Sequence, residues 1–199
     1  MTRQVQILAF DSMEVLDYAG PYEVFNVAGE QTSPAAFQVQ AVGVSARPVG
    51  RGGFAVVPVC PYPEAPPADI LVIPGGRGTR PLMRDQALLA WIAGRAAGAE
   101  LVMTVCTGAL LAAAAGLDGL AATTHHGAFG ELERAAPTAT VVRSVRFVRS
   151  APRLYTSAGV SAGVDLALHV VEELAGGQAR AATEAEMEWM WDRDQALLS

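Results

Sequence analysis

The sequence has few of the residues that build disulfide frameworks, metal centres or nucleic-acid-binding surfaces. Its two cysteines, Cys60 and Cys106, lie far apart, and it has three histidines. Such a set forms neither a disulfide framework nor a cluster of metal ligands, so we expect reduced thiols, no metal and no other cofactor. Lysine and arginine total 14 against 20 acidic residues, which gives a formal net charge of −6. This charge argues against nucleic acid as a partner, because phosphate binding relies on clustered basic side chains.

The sequence also lacks a long uninterrupted apolar run. A membrane-spanning helix needs about 20 consecutive apolar residues, and glycine or a charged residue breaks each apolar stretch here before that length. Met1, Thr2 and Arg3 lead directly into a short alternating run and not into the apolar segment of a secretory signal. We therefore expect a cytoplasmic protein that has no membrane partner.

Short apolar runs that are typical of strands alternate with segments that have the periodicity of helices. The patterns predict strands at 4–10, 37–44, 69–76, 100–105 and 138–142, and two strands within 145–157. They predict helices at 17–30, 80–98, 107–116, 126–135, 161–176 and 178–194, and an irregular segment at 47–60. The length of 199 residues fits one domain over 1–199. The alternation predicts an α/β fold in which helices flank a mostly parallel central sheet.

Three strand ends carry residues that suggest a site. These are the segment from Asp11 to Asp17, the Gly75-Gly76 pair, and Cys106 after the run "LVMTV". Ligands collect at the carboxyl ends of strands in such sheets. A nucleophile on a tight strand-to-helix turn is exposed, and the following helix N-terminus stabilises a thiolate. Such settings lower a cysteine pKa from about 8.5 to between about 3.5 and 7.5, and we expect this at Cys106.

Several of these residues also have a purely structural interpretation. A free cysteine is often a small buried core residue, which is the alternative for Cys106 and the preferred interpretation for Cys60. Asp17 is a favoured residue type for capping the helix that follows it. His169, within a predicted helix, is expected to be packed or half-exposed. Late in the chain, core packing or a dimer contact is expected for four large side chains: Met187, Trp189, Met190 and Trp191.

One basic run stands out against the acidic net charge. Valine, phenylalanine and serine separate its members, which are Arg143, Arg146, Arg149 and Arg153. Their spacing favours the solvated face of a β-hairpin, and the alternative is a set of contacts to an anion.

Four motifs resemble the ThiJ/PfpI superfamily. They are "EVLDYAGPYEVF", "ILVIPGG", "VCTGALLAAAAGLDGLAATTHH" and "TSAGVSAGVDLAL", and the resemblance extends over about residues 4–176. It implies a flavodoxin-like, class I glutamine-amidotransferase-like fold with a nucleophile elbow. The first motif and Cys-Thr-Gly are similar to the branch that holds isonitrile hydratase and the sensor domains of AraC-type regulators.

The resemblance also implies roles for individual residues. Cys106 matches the nucleophile, Asp17 the carboxylate that faces it, and Thr107 the threonine beside it. Gly76 matches the glycine whose N–H, with that of Thr107, faces developing negative charge. His125 and Gly75 are expected in the wall of the site. His126 stands where tryptophan is common. Threonine after the nucleophile, where PfpI-type proteases have histidine, argues against a peptidase.

The function implied by the resemblance is the hydration of isonitriles to N-substituted formamides. Cys106 would attack the isonitrile carbon to give a thioimidate, and Asp17 would act as acid and then as base. One alternative is glyoxalase or deglycase chemistry on small aldehydes, in which Glu14 or Glu23 would replace Asp17. Another is a non-catalytic redox or ligand sensor built on the same thiol. The implied partners are a small-molecule substrate and a second copy of the chain in a homodimer.

Overall fold

A computed structural model describes residues 1–117 and 119–190, together with the backbone of 197–198. The strands are β1 (Arg3–Ala9), β2 (Phe37–Gly43), β3 (Cys60–Pro61), β4 (Ile70–Ile73), β5 (Leu101–Thr104), β6 (Ala121–Ala122), β7 (Thr140–Val141), β8 (Phe147–Ala151), β9 (Leu154–Ser157) and β10 (Leu197–Leu198). The helices are α1 (Val15–Glu30), α2 (Thr79–Leu82), α3 (Gln86–Gly98), α4 (Gly108–Ala114), α5 (Phe129–Ala135), α6 (Ala162–Ala175) and α7 (Gly177–Glu186). The predicted α/β fold class is confirmed.

The main sheet has the strand order β10-β8-β9-β5-β4-β1-β2-β3. Strands β8 and β9 form an antiparallel hairpin, and all other neighbours pair in parallel. Every residue of β4 and β5 is buried, as expected for the central strands of a sheet that is covered on both faces. The parallel pairing brings the carboxyl ends of β1, β4, β5 and β9 to the same edge.

The helices form two packed groups. Helix α1 packs against α6 and α7, whereas α4 packs against α2, α3 and α5. Alanine at 109 and 112 and glycine at 108 are buried, so α4 lies close to the sheet beneath it. Within the described part of the chain, no helix is long and apolar enough to cross a membrane.

Several predicted elements have different bounds in the structure. The predicted helix 80–98 is two helices, because Asp85 caps α3 by accepting a hydrogen bond from the Leu88 N–H at 3.0 Å. The predicted strand 138–142 is reduced to β7, which pairs with β6 in a separate two-stranded sheet. The predicted helix 178–194 ends at Glu186, near a left-handed residue, Glu188 with φ +49°. Its last four residues lie outside the described residues.

The structure also shows where His169, the large side chains late in the chain and the basic run lie. His169 lies half-buried between the rings of Phe147 and Tyr155. Met187 and Trp189 pack against the core, whereas Met190 is exposed; Trp191 is outside the described residues. The basic run does flank the hairpin of β8 and β9, but its side chains find partners within the chain: Arg143 with Glu133, Arg146 with Asp165, Arg149 with Glu173, and Arg153 with the carbonyl groups of Ala97 and Ala99.

Candidate active site

Four loops meet at the carboxyl ends of β1, β4, β5 and β9. The loop after β1 leads into α1 and to Asp17, and the loop after β4 carries Gly75 and Gly76. The loop after β5 carries Cys106, and the loop after β9 carries Val160. These residues come from distant parts of the sequence, and the parallel sheet places them beside one another. This edge is where an open α/β sheet places its ligands.

Cys106 occupies a strained turn between β5 and α4. Its φ is +56°, in the left-handed region that non-glycine residues seldom adopt. The Cys106 N–H is shared between the carbonyl oxygens of Ser157 at 3.2 Å and Ala158 at 3.1 Å. The Cys106 carbonyl accepts a hydrogen bond from Thr124 Oγ1 at 2.7 Å. The predicted strand–turn–helix setting is therefore present, but the side chain is recessed, since Cys106 is 5% exposed.

Asp17 is fully buried in the first turn of α1. Its carboxylate oxygens accept hydrogen bonds from the Gly75 N–H and the Val160 N–H, each at 3.1 Å. The Cys106 thiol lies close enough to Asp17 to stabilise its charged form. The N-cap of α1 is Glu14. The interpretation of Asp17 as a helix cap is therefore wrong, because its side chain is directed to other loops and not to the N–H groups of its own helix.

Burial raises the pKa of Asp17 from 3.8 to about 7. The negative charge of Glu14 adds to this rise. The Cys106 thiol and the hydrogen bonds from the Gly75 and Val160 N–H groups oppose it, because they stabilise the carboxylate. Asp17 therefore holds its proton over part of the neutral range, as a general acid must.

Burial also raises the pKa of Cys106, and the adjacent negative charge of Asp17 raises it further, to about 12. The backbone N–H and the hydroxyl of Thr107 oppose this rise. The expected lowering of the Cys106 pKa is thus wrong: desolvation and a neighbouring carboxylate outweigh the start of a seven-residue helix. Because each group shifts the pKa of the other, their protons are lost from the pair as a unit. Loss of one of the two protons is needed before the sulfur can be a thiolate.

Gly75 allows the pair to form. A Cβ at this position would lie 2.8 Å from Asp17 Oδ2, 2.8 Å from Cys106 Cβ and 2.5 Å from the Thr107 nitrogen. No side chain other than hydrogen fits between these groups. Gly75 therefore contacts both members of the pair and donates its N–H to one of them.

The Thr107 hydroxyl is tied to Gly76. It accepts a hydrogen bond from the Gly76 N–H at 2.9 Å and is 3.0 Å from the Gly76 carbonyl oxygen, to which it can donate. Gly76 has φ +126°. A Cβ at this position would clash with the backbone of residues 12–14, since it would lie 2.5 Å from the Glu14 nitrogen. The Gly76 N–H thus has a partner in this state, and its role opposite a developing negative charge stays a prediction.

His125 lies at the rim of the same group of loops. Its Nδ1 accepts a hydrogen bond from the Gly127 N–H at 3.1 Å, and its ring is 4.1 Å from that of His126. A Cβ on Gly159 would lie 2.3 Å from His125 Cδ2, so this glycine permits the close approach of the turn after β9. Burial, with the charges of His126 and Arg80, lowers the pKa of His125. A role in the site wall stays a prediction.

Sequence reasoning missed three contributors to the site. Val160 has φ +56° and donates its backbone N–H to Asp17. No residue pattern indicates that a valine takes this conformation. Thr124 holds the Cys106 carbonyl; its place in the "ATTHH" motif was the available signal. Arg80 donates to the Gly76 carbonyl and pairs with Glu131. In residues 1–117 and 119–190, no group of three or more His, Cys, Asp or Glu side chains is placed to hold a metal ion.

A search of family models matches residues 3–173 to the DJ-1/PfpI family. Isonitrile hydratase from Pseudomonas putida is 34% identical over 191 residues, which are 95% of this chain and 79% of that protein.

Solved structures agree with this match. A THiJ/PfpI family protein from Pseudomonas syringae has a TM-score of 0.86 at 30% identity, and the match covers 96% of this chain and 77% of that one. DJ-1 from Schizosaccharomyces pombe has a TM-score of 0.78 at 19% identity, over 92% of this chain and 98% of that one. At that identity, the likeness to DJ-1 is one of fold.

Proposed function

The chain belongs to the DJ-1/PfpI family, and from this premise we propose that it is a cysteine-dependent enzyme that hydrates small isonitriles to N-substituted formamides. The observation that carries the proposal is the buried pair of Asp17 and Cys106 at the strand-to-helix turn: the two side chains lie on either side of Gly75, and backbone N–H groups hold the carboxylate. The identity to isonitrile hydratase over most of the chain supports the choice of substrate class.

In the first step, the pair acts while it holds one proton. The Cys106 sulfur attacks the terminal carbon of R–N≡C, and a C–S bond forms. The carbon takes the proton from Asp17, so the product is the thioimidate R–N=CH–S–Cys106 and Asp17 becomes a carboxylate. A carboxyl group whose pKa is about 7 can give up its proton here and later accept one.

In the second step, Asp17 takes a proton from water as the water oxygen adds to the thioimidate carbon. Asp17 passes this proton to the nitrogen, which gives R–NH–CH(OH)–S–Cys106. Collapse forms the C=O bond, breaks the C–S bond and returns the hydroxyl proton to the pair. The products are R–NH–CHO and the starting enzyme, so one water is consumed for each isonitrile.

The surroundings of Cys106 stabilise charge during these steps. The Thr107 N–H and hydroxyl favour the thiolate, and the Gly76 N–H holds that side chain in place by donating to the hydroxyl oxygen. Fixed backbone donors of this kind stabilise developing charge without reorganising.

The recess of the thiol favours isonitriles over aldehydes. Cys106 is 5% exposed, and an isonitrile presents its reactive carbon at the end of a thin, linear N≡C group. An aldehyde carbon carries two substituents in its plane and needs more room. Neither of the carboxylates that aldehyde chemistry would require replaces Asp17 beside the thiol: Glu14 pairs with Arg51, and Glu23 is exposed on α1.

A substrate panel on the purified chain tests the proposal. We expect cyclohexyl isocyanide to give the formamide, detected by NMR, with no product from Cys106→Ala and full activity in the Cys60→Ala control. Lactate from methylglyoxal without any formamide would replace the proposal by the aldehyde chemistry. No turnover of either substrate, with selective oxidation of Cys106 by mild peroxide, would favour the sensor.

A further inference from the structure

Arg146 clamps both ends of the turn at residues 158–161. Its backbone carbonyl accepts a hydrogen bond from the Ala158 N–H at 2.8 Å. Its guanidinium donates to Ser161 Oγ at 3.2 Å and, through Nε, to Asp165 Oδ2 at 2.6 Å. The ion pair is half-buried, with 31% of the Arg146 side chain and 14% of the Asp165 side chain exposed. Arg146 therefore fixes the start of the turn, its end and the first turn of α6 at once.

Asp165 is itself held from a second direction. The Trp189 Nε1–H donates to Asp165 Oδ1 at 3.2 Å, so one carboxylate oxygen faces Arg146 and the other faces Trp189. The start of α6 also packs on the strand that leads to the elbow, since a Cβ on Gly163 would lie 2.6 Å from Val105 Cγ1. Asp165 and the start of α6, to which Arg146 binds, are therefore held in place themselves.

The clamped turn carries one group for each member of the reactive pair. The Ala158 carbonyl accepts the Cys106 N–H at 3.1 Å, and the Val160 N–H donates to Asp17 Oδ1 at 3.1 Å. Val160 has φ +56°, which a β-branched residue adopts only when its surroundings hold it there. This conformation requires contacts that hold both ends of the turn in place.

We propose that Arg146 is a positioning residue for Asp17 and Cys106, acting through Asp165 and Ser161 to hold the Val160 N–H on the Asp17 carboxylate. The catalytic importance of Arg146 rests on the proposed function, whereas its effect on Asp17 and Cys106 does not. Arg146 does not touch the reacting atoms.

The expected consequence follows from the groups that face Asp17. Cys106, the Gly75 N–H and the Val160 N–H stabilise its charged form, whereas burial and the charge of Glu14 oppose it. Loosening the turn weakens one of the three stabilising interactions. The pair then loses its first proton at a higher pH, so the pH dependence of Cys106 reactivity is displaced upward.

The test measures the alkylation of Cys106 by iodoacetamide as a function of pH, in a Cys60→Ser background. Lysine at 146 keeps the charge but not the fork that reaches Asp165 and Ser161 together. We expect Arg146→Lys to raise the midpoint of the alkylation profile by about 0.5–1 pH unit, the effect of weakening one charge-assisted hydrogen bond. Ser161→Ala, which leaves the ion pair in place, should give a smaller shift in the same direction.

The matched control is Arg143→Lys, because Arg143 also pairs with a carboxylate, that of Glu133, outside the clamp. Its alkylation profile should match that of the parent. Unchanged midpoints in both Arg146→Lys and Ser161→Ala would overturn the proposal, even if the melting temperature falls, and so would an equal shift in the control. Alkylation requires no turnover of an isonitrile, so this result is independent of the proposed function.

Discussion

The buried carboxyl group of Asp17 lies next to the thiol of Cys106, and each group shifts the pKa of the other. One residue lies in the first turn of α1 and the other in the turn before α4. Neither group has the pKa of its free form: burial raises that of the carboxyl to about 7 and that of the thiol to about 12. The pair is best described as one unit that shares its protons, and the predictions below follow from this.

The activity should depend on pH through the first proton lost by the pair. Both protons are present at low pH, and attack by Cys106 requires the loss of one. Since the pKa of Asp17 is about 7, kcat/KM for isonitrile hydration should rise about tenfold per pH unit below pH 7 and level off above it. Rates measured from pH 5 to 9 check this. A midpoint near pH 4 would contradict it.

Asp17→Asn should lower isonitrile hydration by about 10²- to 10⁴-fold, because the amide can neither give nor take the proton. Initial rates of formamide formation measure the loss. The control is Glu14→Gln. The charge of Glu14 raises the Asp17 pKa, but the Glu14 side chain itself pairs with Arg51. That variant should keep its activity, with a pH profile displaced to lower pH; an equal loss in both variants would argue against Asp17 as the acid.

The same carboxyl group should make folding stability depend on pH. Its pKa is higher in the folded state, about 7, than the ordinary value of 3.8, so its contribution is fully present below about pH 4 and is lost as the pH rises through 7. Between pH 4 and pH 8, the free energy of unfolding of Asp17→Asn should gain about 3–4 kcal/mol relative to the native chain. Urea unfolding at both pH values measures this. A constant difference would show that the carboxyl group is not perturbed.

Gly75→Ala should separate the reactive pair. Its Cβ would lie within 2.8 Å of both Asp17 Oδ2 and Cys106 Cβ, so we expect a loss of about 2 kcal/mol or more in stability and of most isonitrile hydration. The control is Gly94→Ala in α3, where a Cβ meets nothing within 4 Å. Alanine should raise stability there by about 0.5–1 kcal/mol, because it favours the helix. Thermal melts and initial rates distinguish the two.

Thr107→Val tests the tie between the Thr107 hydroxyl and Gly76. Valine keeps the shape but loses the bonds of 2.9 and 3.0 Å to the Gly76 N–H and carbonyl. We expect kcat to fall about tenfold or more, consistent with the loss of one or two hydrogen bonds. Thr107→Ser, which keeps the hydroxyl, should restore most of the rate. If valine and serine are equally active, the hydroxyl has no part in catalysis.

The sequence determined the fold class and the position of Cys106 on a strand-to-helix turn. Alternating strand and helix patterns predicted the parallel sheet, because such a sheet needs crossover helices that cover both its faces. Cys106 was placed correctly because the strand "LVMTV" ends there and an alanine-rich helix follows. Short elements such as β6 and β7 were missed or misplaced, since two residues carry too little periodicity.

Only the tertiary structure decided the chemistry of the site. A cysteine at a helix start predicts a lowered pKa, but the burial of Cys106 beside Asp17 reverses the sign, and burial depends on all four loops together. The N–H that Val160 donates to Asp17 depends on a left-handed valine, which its residue type disfavours. Desolvation and backbone strain are set by the packed surroundings of a residue and not by its neighbours in the chain.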